Sequence, residues 1–170
     1  KILGENICKH YKKEYKLPVY IVRPGHTYGP GQDYRIDFRV LPQLIKRALN
    51  KKKVYIYDKG KSVRSWTYVA DTIIMLLNIA QSGKQLIYNI SGNEYKSIYQ
   101  IAKIICKFQK IKKVEFRNKK LKFTNPNYDM LILSSKKYNT EFPKLKYTNF
   151  NVGVKKTIEW NKLNGKNKIS

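Results

Sequence analysis

The residues of this chain best suited to chemistry stand in four short runs. They are Lys1-Ile2-Leu3-Gly4-Glu5, Arg23-Pro24-Gly25-His26-Thr27-Tyr28-Gly29-Pro30-Gly31, Asp37-Phe38-Arg39-Val40, and Arg64-Ser65-Trp66-Thr67-Tyr68-Val69-Ala70-Asp71. Arginine is scarce, six residues among 36 Lys and Arg, so the choice of Arg64 is informative: a planar guanidinium grips phosphate oxygens in two places, which an ammonium cannot do. A neutral His26 would offer one donor and one acceptor to a ligand. Pro24, Gly25, Gly29, Pro30 and Gly31 crowd eight positions, and that density of fixed and permissive backbone marks a shaped loop. No group of His, Cys, Asp or Glu has the spacing of a metal site. Cys8 and Cys106 lie far apart and belong to no CxxC pair, which leaves neither a disulfide framework nor a zinc signature and points to a reducing, cytoplasmic setting.

These runs need elements to hold them. Val19 to Val22 is a short apolar, β-rich run without polar alternation, the pattern of a parallel strand covered on both faces, and it feeds the Gly/Pro loop directly. In open α/β sheets ligands bind at the carboxyl ends of strands. Before it, Leu3, Ile7 and Tyr11 recur at helix spacing from Lys1 to about Tyr15, and Pro18 stops that helix. Phe38 to Leu49 reads as a second helix, with Phe38, Leu41, Leu44, Ile45, Ala48 and Leu49 on one stripe and Pro42 in its first turn. Lys53 to Tyr57 is a strand, Asp58 to Lys61 a turn, and Ser65 to Val69 extended. Asp71 then caps a third helix whose inward face is Ile73, Ile74, Leu77 and Ala80, closing near Gly83.

Leu86 to Ile90 is a strand followed by a Ser91-Gly92-Asn93 loop. Ser97 and Gln100 make a capping box for a helix with Ile98, Ile101, Ile104, Ile105 and Phe108 inward. Val114 to Phe116 is a short strand, Asn118 to Tyr128 is polar and irregular, and Leu131 to Leu133 is briefly extended. Ser134 or Ser135 caps a short helix through Tyr138. Val154, Ile158 and Trp160 face inward on a last helix, and Asn164 to Ser170 is a frayed tail. Alternating helices and strands predict an α/β fold, mostly parallel at the front, with α+β decoration behind.

With 170 residues and 42% hydrophobic content, the chain can build a real core. A net charge of +25 suggests nucleic acid or an anionic surface at first sight. The excess is nearly all lysine, scattered in ones to threes, whereas phosphate-reading surfaces favour clustered arginine interleaved with aromatics. No nucleic-acid partner is therefore expected. The longest apolar run, around Ile73 to Leu77, is far too short to span a bilayer, so no membrane role is expected either.

In their order and spacing the four runs resemble the extended short-chain dehydrogenase/reductases, the NAD-dependent nucleotide-sugar epimerases and dehydratases, over about the whole chain. The resemblance implies the carboxyl-terminal part of a Rossmann-like parallel sheet, residues 1–92, interleaved with substrate-binding elements, and a mainly substrate-binding region, 93–170. In that family a Tyr-x-x-x-Lys pair is followed by a small residue and Glu. Lys1, with Gly4 and Glu5, looks like the second half of the pair, and an ammonium beside a tyrosine, whose ordinary pKa is near ~10, favours the reactive phenolate.

The tyrosine and the GxxGxxG cofactor loop are absent, as is an initiator Met, so the sequence reads as the carboxyl-terminal half of such an enzyme. By the same resemblance Lys1 is catalytic and, with Arg23, Pro24 and His26, holds NAD, while His26, Tyr28, Arg39, Tyr57 and Arg64 contact a UDP- or dTDP-linked sugar. Arg64 stands where the family binds the diphosphate and Tyr57 where an aromatic packs on the base. His26 replaces the usual Asn, and Asp58 and Phe38 replace usual glycines. A homodimer is implied through the first helix. A basic nucleic-acid-binding domain and a non-catalytic remnant kept for oligomerisation remain as alternatives.

Overall fold

The computed structural model describes residues 1–57, 59–117 and 130–165. The polar stretch Asn118 to Tyr128, Asp58 in the predicted turn and the end of the tail lie outside the described residues.

Among the described residues three small sheets carry the α/β architecture. Strand β1 (Ile21–Pro24) pairs in parallel with β5 (Ile87–Ile90), placing Arg23 opposite Asn89 and Pro24 opposite Ile90. Strand β2 (His26–Tyr28) runs parallel to β4 (Val63–Tyr68), with His26 opposite Trp66. On its other edge β4 pairs antiparallel with β6 (Glu94–Ser97), and on the same edge as β2, at Val63 and Arg64, it pairs in parallel with β8 (Met130–Leu131). Strand β3 (Val54–Tyr57) pairs in parallel with β7 (Val114–Arg117).

The helices are α1 (Ile2–Tyr15), α2 (Val40–Lys51), α3 (Val69–Ser82), α4 (Ile98–Phe108), α5 (Lys136–Glu141) and α6 (Phe150–Gly165). Among the described residues none is long and apolar enough to cross a membrane. The larger core joins α2, α4 and α6 to β2, β3 and β4 through Leu44, Ile45, Ile56, Trp66, Ile105 and Val154. A smaller one lies between α3, β5 and α5 around Met75, Ile79, Tyr88 and Tyr138.

Local chemistry explains several boundaries. The capping box at α4 forms as the sequence predicts: Ser97 Oγ accepts from Gln100 N at 3.1 Å and Gln100 Oε1 accepts from Ser97 N at 2.8 Å. Gly92 lets two backbones meet, because a Cβ there would lie 2.1 Å from the Trp66 carbonyl oxygen, and its N–H donates to Thr67 Oγ1 at 2.6 Å. Helix α2 ends at Lys52 in the left-handed region, φ 48°, a position that favours glycine.

The structure departs from expectation where pairing partners are distant. The first strand is shifted to Ile21–Pro24 and only Ile21 is buried, so it is not covered on both faces. Part of the Gly/Pro loop is itself a strand, β2, and β6 was not foreseen at all. Phe38 precedes α2 and is 83% exposed.

Asp71 does not cap α3, which starts at Val69 with Tyr68 before it; the carboxylate is buried and accepts from Thr148 N and Thr148 Oγ1, both at 2.9 Å. It ties α3 to the segment before α6. The buried face of α3 is Thr72, Met75 and Ile79, while Ile73, Ile74 and Leu77 are exposed. Ser135 precedes α5 without a side-chain cap, and that helix continues past Tyr138 to Glu141. Helix α1 buries nothing: Leu3, Ile7 and Tyr11 all lie on the surface. Apolar residues recur at helix spacing in α1 and α3, but the stripes Leu3, Ile7, Tyr11 and Ile73, Ile74, Leu77 face outward rather than into the core.

Candidate functional site

Pro24 ends β1 and His26 begins β2, so the chain crosses from one parallel pair to the next over a single residue, Gly25. A Cβ at Gly25 would stand 2.9 Å from Ser91 Oγ, so glycine lets the crossing pack against the end of β5. The crossing forms one wall of a cleft of about 330 Å³ lined by Pro24, Gly25, His26, Arg39, Ser65, Leu131 and Leu133. Strand ends of both sheets therefore meet at the place where α/β folds bind ligands.

The His26 ring lies 5.3 Å from Trp66 and is half-buried. Burial first, and then the charges of Arg64 and Arg39, hold its pKa below the ordinary 6.5, so the imidazole is neutral at pH 7. Arg64 leaves β4 with its backbone in register with Lys96 on one edge and Leu131 on the other, and its Nη1 donates to the Val63 carbonyl at 2.8 Å.

Arg39 sits at the threshold of α2 in a clasp: Asp37 Oδ1 accepts from its backbone N at 2.9 Å, and Nη2 reaches Oδ2 at 2.5 Å. The Arg39 hydrogen bond holds the Asp37 carboxyl below the usual carboxylate range. Asp33 clasps Arg35 in the same way. These paired clasps, with Gln43 donating to the Asp37 carbonyl at 2.7 Å, fix the loop that delivers Arg39.

Lys1 precedes α1 and is exposed. One turn on, Glu5 takes Arg23 Nε at 2.7 Å and Nη2 at 2.5 Å. That pair brings the start of α1, and Lys1 with it, to the carboxyl end of β1 beside Pro24. Arg23 was expected at the cofactor; its guanidinium is engaged by Glu5, and its observed work is to join α1 to the sheet.

Tyr28, expected to touch substrate, lies in the core instead. It is 1% exposed, its hydroxyl donates to the Phe150 carbonyl at 3.3 Å, and its ring packs on Phe150 at 4.9 Å. His26 and Tyr28, two residues apart, share one face of β2 and both pack on Trp66; His26 stands at the strand's start and lines the cleft, while Tyr28 lies deeper with Tyr68. Trp66 and Tyr68 are core residues.

Tyr57 does not line the cleft. It stands on β3, in the separate two-stranded sheet, beside Tyr55 and Arg47. The sequence reading missed Leu131 and Leu133 as cleft walls, since only the long-range pairing of β8 with β4 brings them there.

A larger cavity, about 900 Å³, opens between the carboxyl-terminal ends of α2, α4 and α6 and is lined in part by Lys52, Lys110 and Lys162. It holds none of the candidate ligand or catalytic residues. Lysines at helix carboxyl ends balance the carbonyl dipoles. The smaller cleft is where distinct chemical groups converge. Among the described residues no three His, Cys, Asp or Glu side chains are placed to hold a metal ion.

The sequence and fold are similar to those of known proteins. Residues 1–91 match the model of the NAD dependent epimerase/dehydratase family. The chain is 30% identical to a dTDP-4-dehydro-6-deoxy-D-allose reductase of Streptomyces bikiniensis over 106 residues, 62% of this chain and 32% of that protein. It is 26% identical to dTDP-glucose 4,6-dehydratase 1 of Escherichia coli K12 over 166 residues, 94% of this chain and 45% of the relative.

Among solved structures, UDP-glucuronic acid 4-epimerase of Bacillus cereus, in complex with UDP-glucuronic acid and NAD, superposes with TM-score 0.82 at 25% identity, covering 96% of this chain and 51% of that one. dTDP-glucose 4,6-dehydratase of Bacillus anthracis, in complex with NAD, gives TM-score 0.77 at 27% identity, covering 94% and 50%. The chain thus spans about half the length, or less, of the relatives it matches. With more than half of its residues inside the family model and its fold shared with NAD-bound members, the chain belongs to the NAD dependent epimerase/dehydratase family.

Proposed function

We propose that the chain is the substrate-binding half of an NAD-dependent nucleotide-sugar epimerase, dehydratase or decarboxylase acting on a UDP- or dTDP-linked sugar. The observation that carries this reading is the cleft itself: His26 and Arg39 line it, and the Arg64 charge acts on the same imidazole. A neutral donor and acceptor for sugar hydroxyls thus stands beside guanidinium charge for a diphosphate.

When bound, NAD supplies reversible hydride transfer at the sugar's C4. The end of β1 suits its nicotinamide riboside: Pro24 and Gly25 give a close, flat wall, and the Glu5–Arg23 pair holds Lys1 at the same end. Lys1 favours the phenolate of the family's tyrosine and holds ribose hydroxyls. His26 and Ser65 orient the sugar, Arg64 grips the diphosphate, and Arg23 acts through Glu5 as a positioning residue. Residues 1–92 complete the NAD-binding domain and 93–170 complete the substrate site. The protein works in the cytoplasm.

The intact protein is a homodimer through α1, whose Leu3, Ile7, Tyr11 and Tyr15 are exposed. A 14-residue helix with no buried residue is marginal in water without a partner.

Titration of UDP-glucose and dTDP-glucose into the whole protein tests the site. Loss of a charged hydrogen-bonding group costs ~1.5–3 kcal/mol, so Arg64→Ala weakens binding roughly 10- to 150-fold. Unchanged affinity removes Arg64 from the site, and no binding by the unaltered protein refutes the reading as a whole.

A further inference from the structure

Helix α4 and the start of β7 enclose a cavity of about 350 Å³, apart from the cleft. Four lysines line it, Lys103 and Lys107 from α4 and Lys112 and Lys113 from the connection to β7, and all four are exposed. Its inner wall is Tyr99, Ile111, Val114 and the buried thiol of Cys106. The Tyr99 ring stacks on Phe116 of β7 at 5.6 Å, and Lys103 Nζ lies 5.6 Å from the Tyr99 ring centre. No residue of this cavity lines the cleft at Gly25.

The chain turns back on itself to build it. Lys110 takes the left-handed region, φ 53°, and Ile111 N donates to the Cys106 carbonyl at 2.9 Å, which returns Lys112 and Lys113 to the same cavity as Lys107. Lys53 brings a further charge to this end, because Val54 and Val114 are in register on neighbouring parallel strands. Like charges four residues apart on a helix, or side by side at the start of paired strands, repel. Among the described residues none of the four lysines makes an ion pair with a carboxylate, and Glu115, the nearest acid in sequence, is engaged by Arg117 at 3.3 Å. The fold thus gathers ammonium groups that repel one another, and an anion among them relieves that repulsion. An ammonium is a donor only and acts as a point charge, which suits the tetrahedral oxygens of a phosphoryl group.

We propose that this cavity binds a compact phosphorylated anion, pyrophosphate or a small phosphomonoester, at a site separate from the cleft. The phosphoryl oxygens meet the four lysines, and the short carbon body of an ester lies on Ile111 and Val114. The site stands whether or not the cleft takes a nucleotide sugar.

Calorimetric titration of pyrophosphate and glycerol 3-phosphate into the whole protein carrying Arg64→Ala, which removes the guanidinium assigned to a diphosphate in the cleft, tests it. At least one of the two anions binds. Lys103→Gln with Lys107→Gln removes two charge-assisted contacts and weakens that binding about tenfold or more. Lys112→Gln with Lys113→Gln gives a similar loss from a different element, so the test does not hang on one variant, and melting curves without ligand show which are folded. Lys144→Gln with Lys146→Gln takes the same charge from exposed positions outside the cavity and weakens binding less than about threefold, as screened long-range charge does. Equal weakening by the pairs inside and outside overturns the site in favour of diffuse charge, and failure of both anions to bind overturns it outright. Poly(dT) bound far more tightly than pyrophosphate, and released by the same lysine changes, overturns it in favour of nucleic acid. UDP-glucose titrated into the unaltered protein reports separately on the cleft.

Discussion

Glu94 ties β6 to the start of α6, and its removal can be reckoned from the contacts. Its Oε1 accepts from Phe150 N, the first residue of α6, at 2.8 Å, and its Oε2 meets Lys96 Nζ at 2.7 Å. A hydrogen bond to a charged acceptor contributes ~1.5–3 kcal/mol, and a carboxylate at a helix amino end ~0.3–1 kcal/mol. The partly exposed pair with Lys96 adds about 0.2–1 kcal/mol. Glu94→Ala should therefore cost about 2–4 kcal/mol, or roughly 5–12 °C in Tm for a chain of this size. Glu94→Gln keeps an acceptor for Phe150 N and should cost about half as much.

The pH dependence gives a second readout. Burial alone would raise the Glu94 pKa, but hydrogen bonds from Lys96 and the Phe150 N–H, with the Lys96 charge, outweigh it and hold the carboxyl below the ordinary 4.5. A carboxyl whose folded pKa is depressed contributes fully above its unfolded value and loses that contribution as pH falls through the folded one. Urea unfolding of the unaltered protein and Glu94→Ala should thus differ most at pH 7 and converge below pH 4.5. A difference under about 0.5 kcal/mol at pH 7, or one equally large at pH 3.5, would refute the reasoning.

Two backbone positions give further predictions of opposite sign. Gly92→Ala drives a methyl into the Trp66 carbonyl oxygen, 2.1 Å away, and neither backbone has a side chain to swing aside. It should cost about 3 kcal/mol or more and lower the urea midpoint, and a midpoint within error of the unaltered protein would show that the two backbones need not approach so closely. Lys52→Gly relieves a side chain at φ 48° after α2 and should raise Tm, by about 0.5–1 kcal/mol in stability; a lowered Tm would mean that the lysine does more at that helix end than its backbone costs.

Much of the fold could be read from local pattern. The α2 stripe, the Ser97–Gln100 box and the β5 run are encoded within a dozen residues, so periodicity and capping chemistry were enough to find them. Of the residues picked out by motif, His26, Arg39 and Pro24 share one cleft, and Arg64 stands within electrostatic reach. What failed was whatever depended on a distant partner. Asp71 looked like a helix cap because no local signal announces Thr148, 77 residues away. Tyr28 looked like a ligand contact because it sits in a ligand loop, yet a three-residue strand turns it inward toward Phe150. Leu3, Ile7, Ile73 and Leu77 carry true amphipathic signals, but periodicity reports that a face is apolar without saying what covers it.

Under the proposed function, strand β4 bears on how fast and how firmly Arg64 would hold a diphosphate. At Arg64 its backbone is laddered on both edges, to Lys96 and to Leu131, so the stem of the guanidinium lost its backbone freedom when the chain folded. A diphosphate arriving there has only side-chain rotors left to still, a smaller entropic loss than ordering a loop would bring. Affinity at this end of the site is therefore coupled to the pairing of a two-residue strand more than 60 positions away in sequence. Fraying of β8 would shorten the ligand's residence without removing one of its contacts.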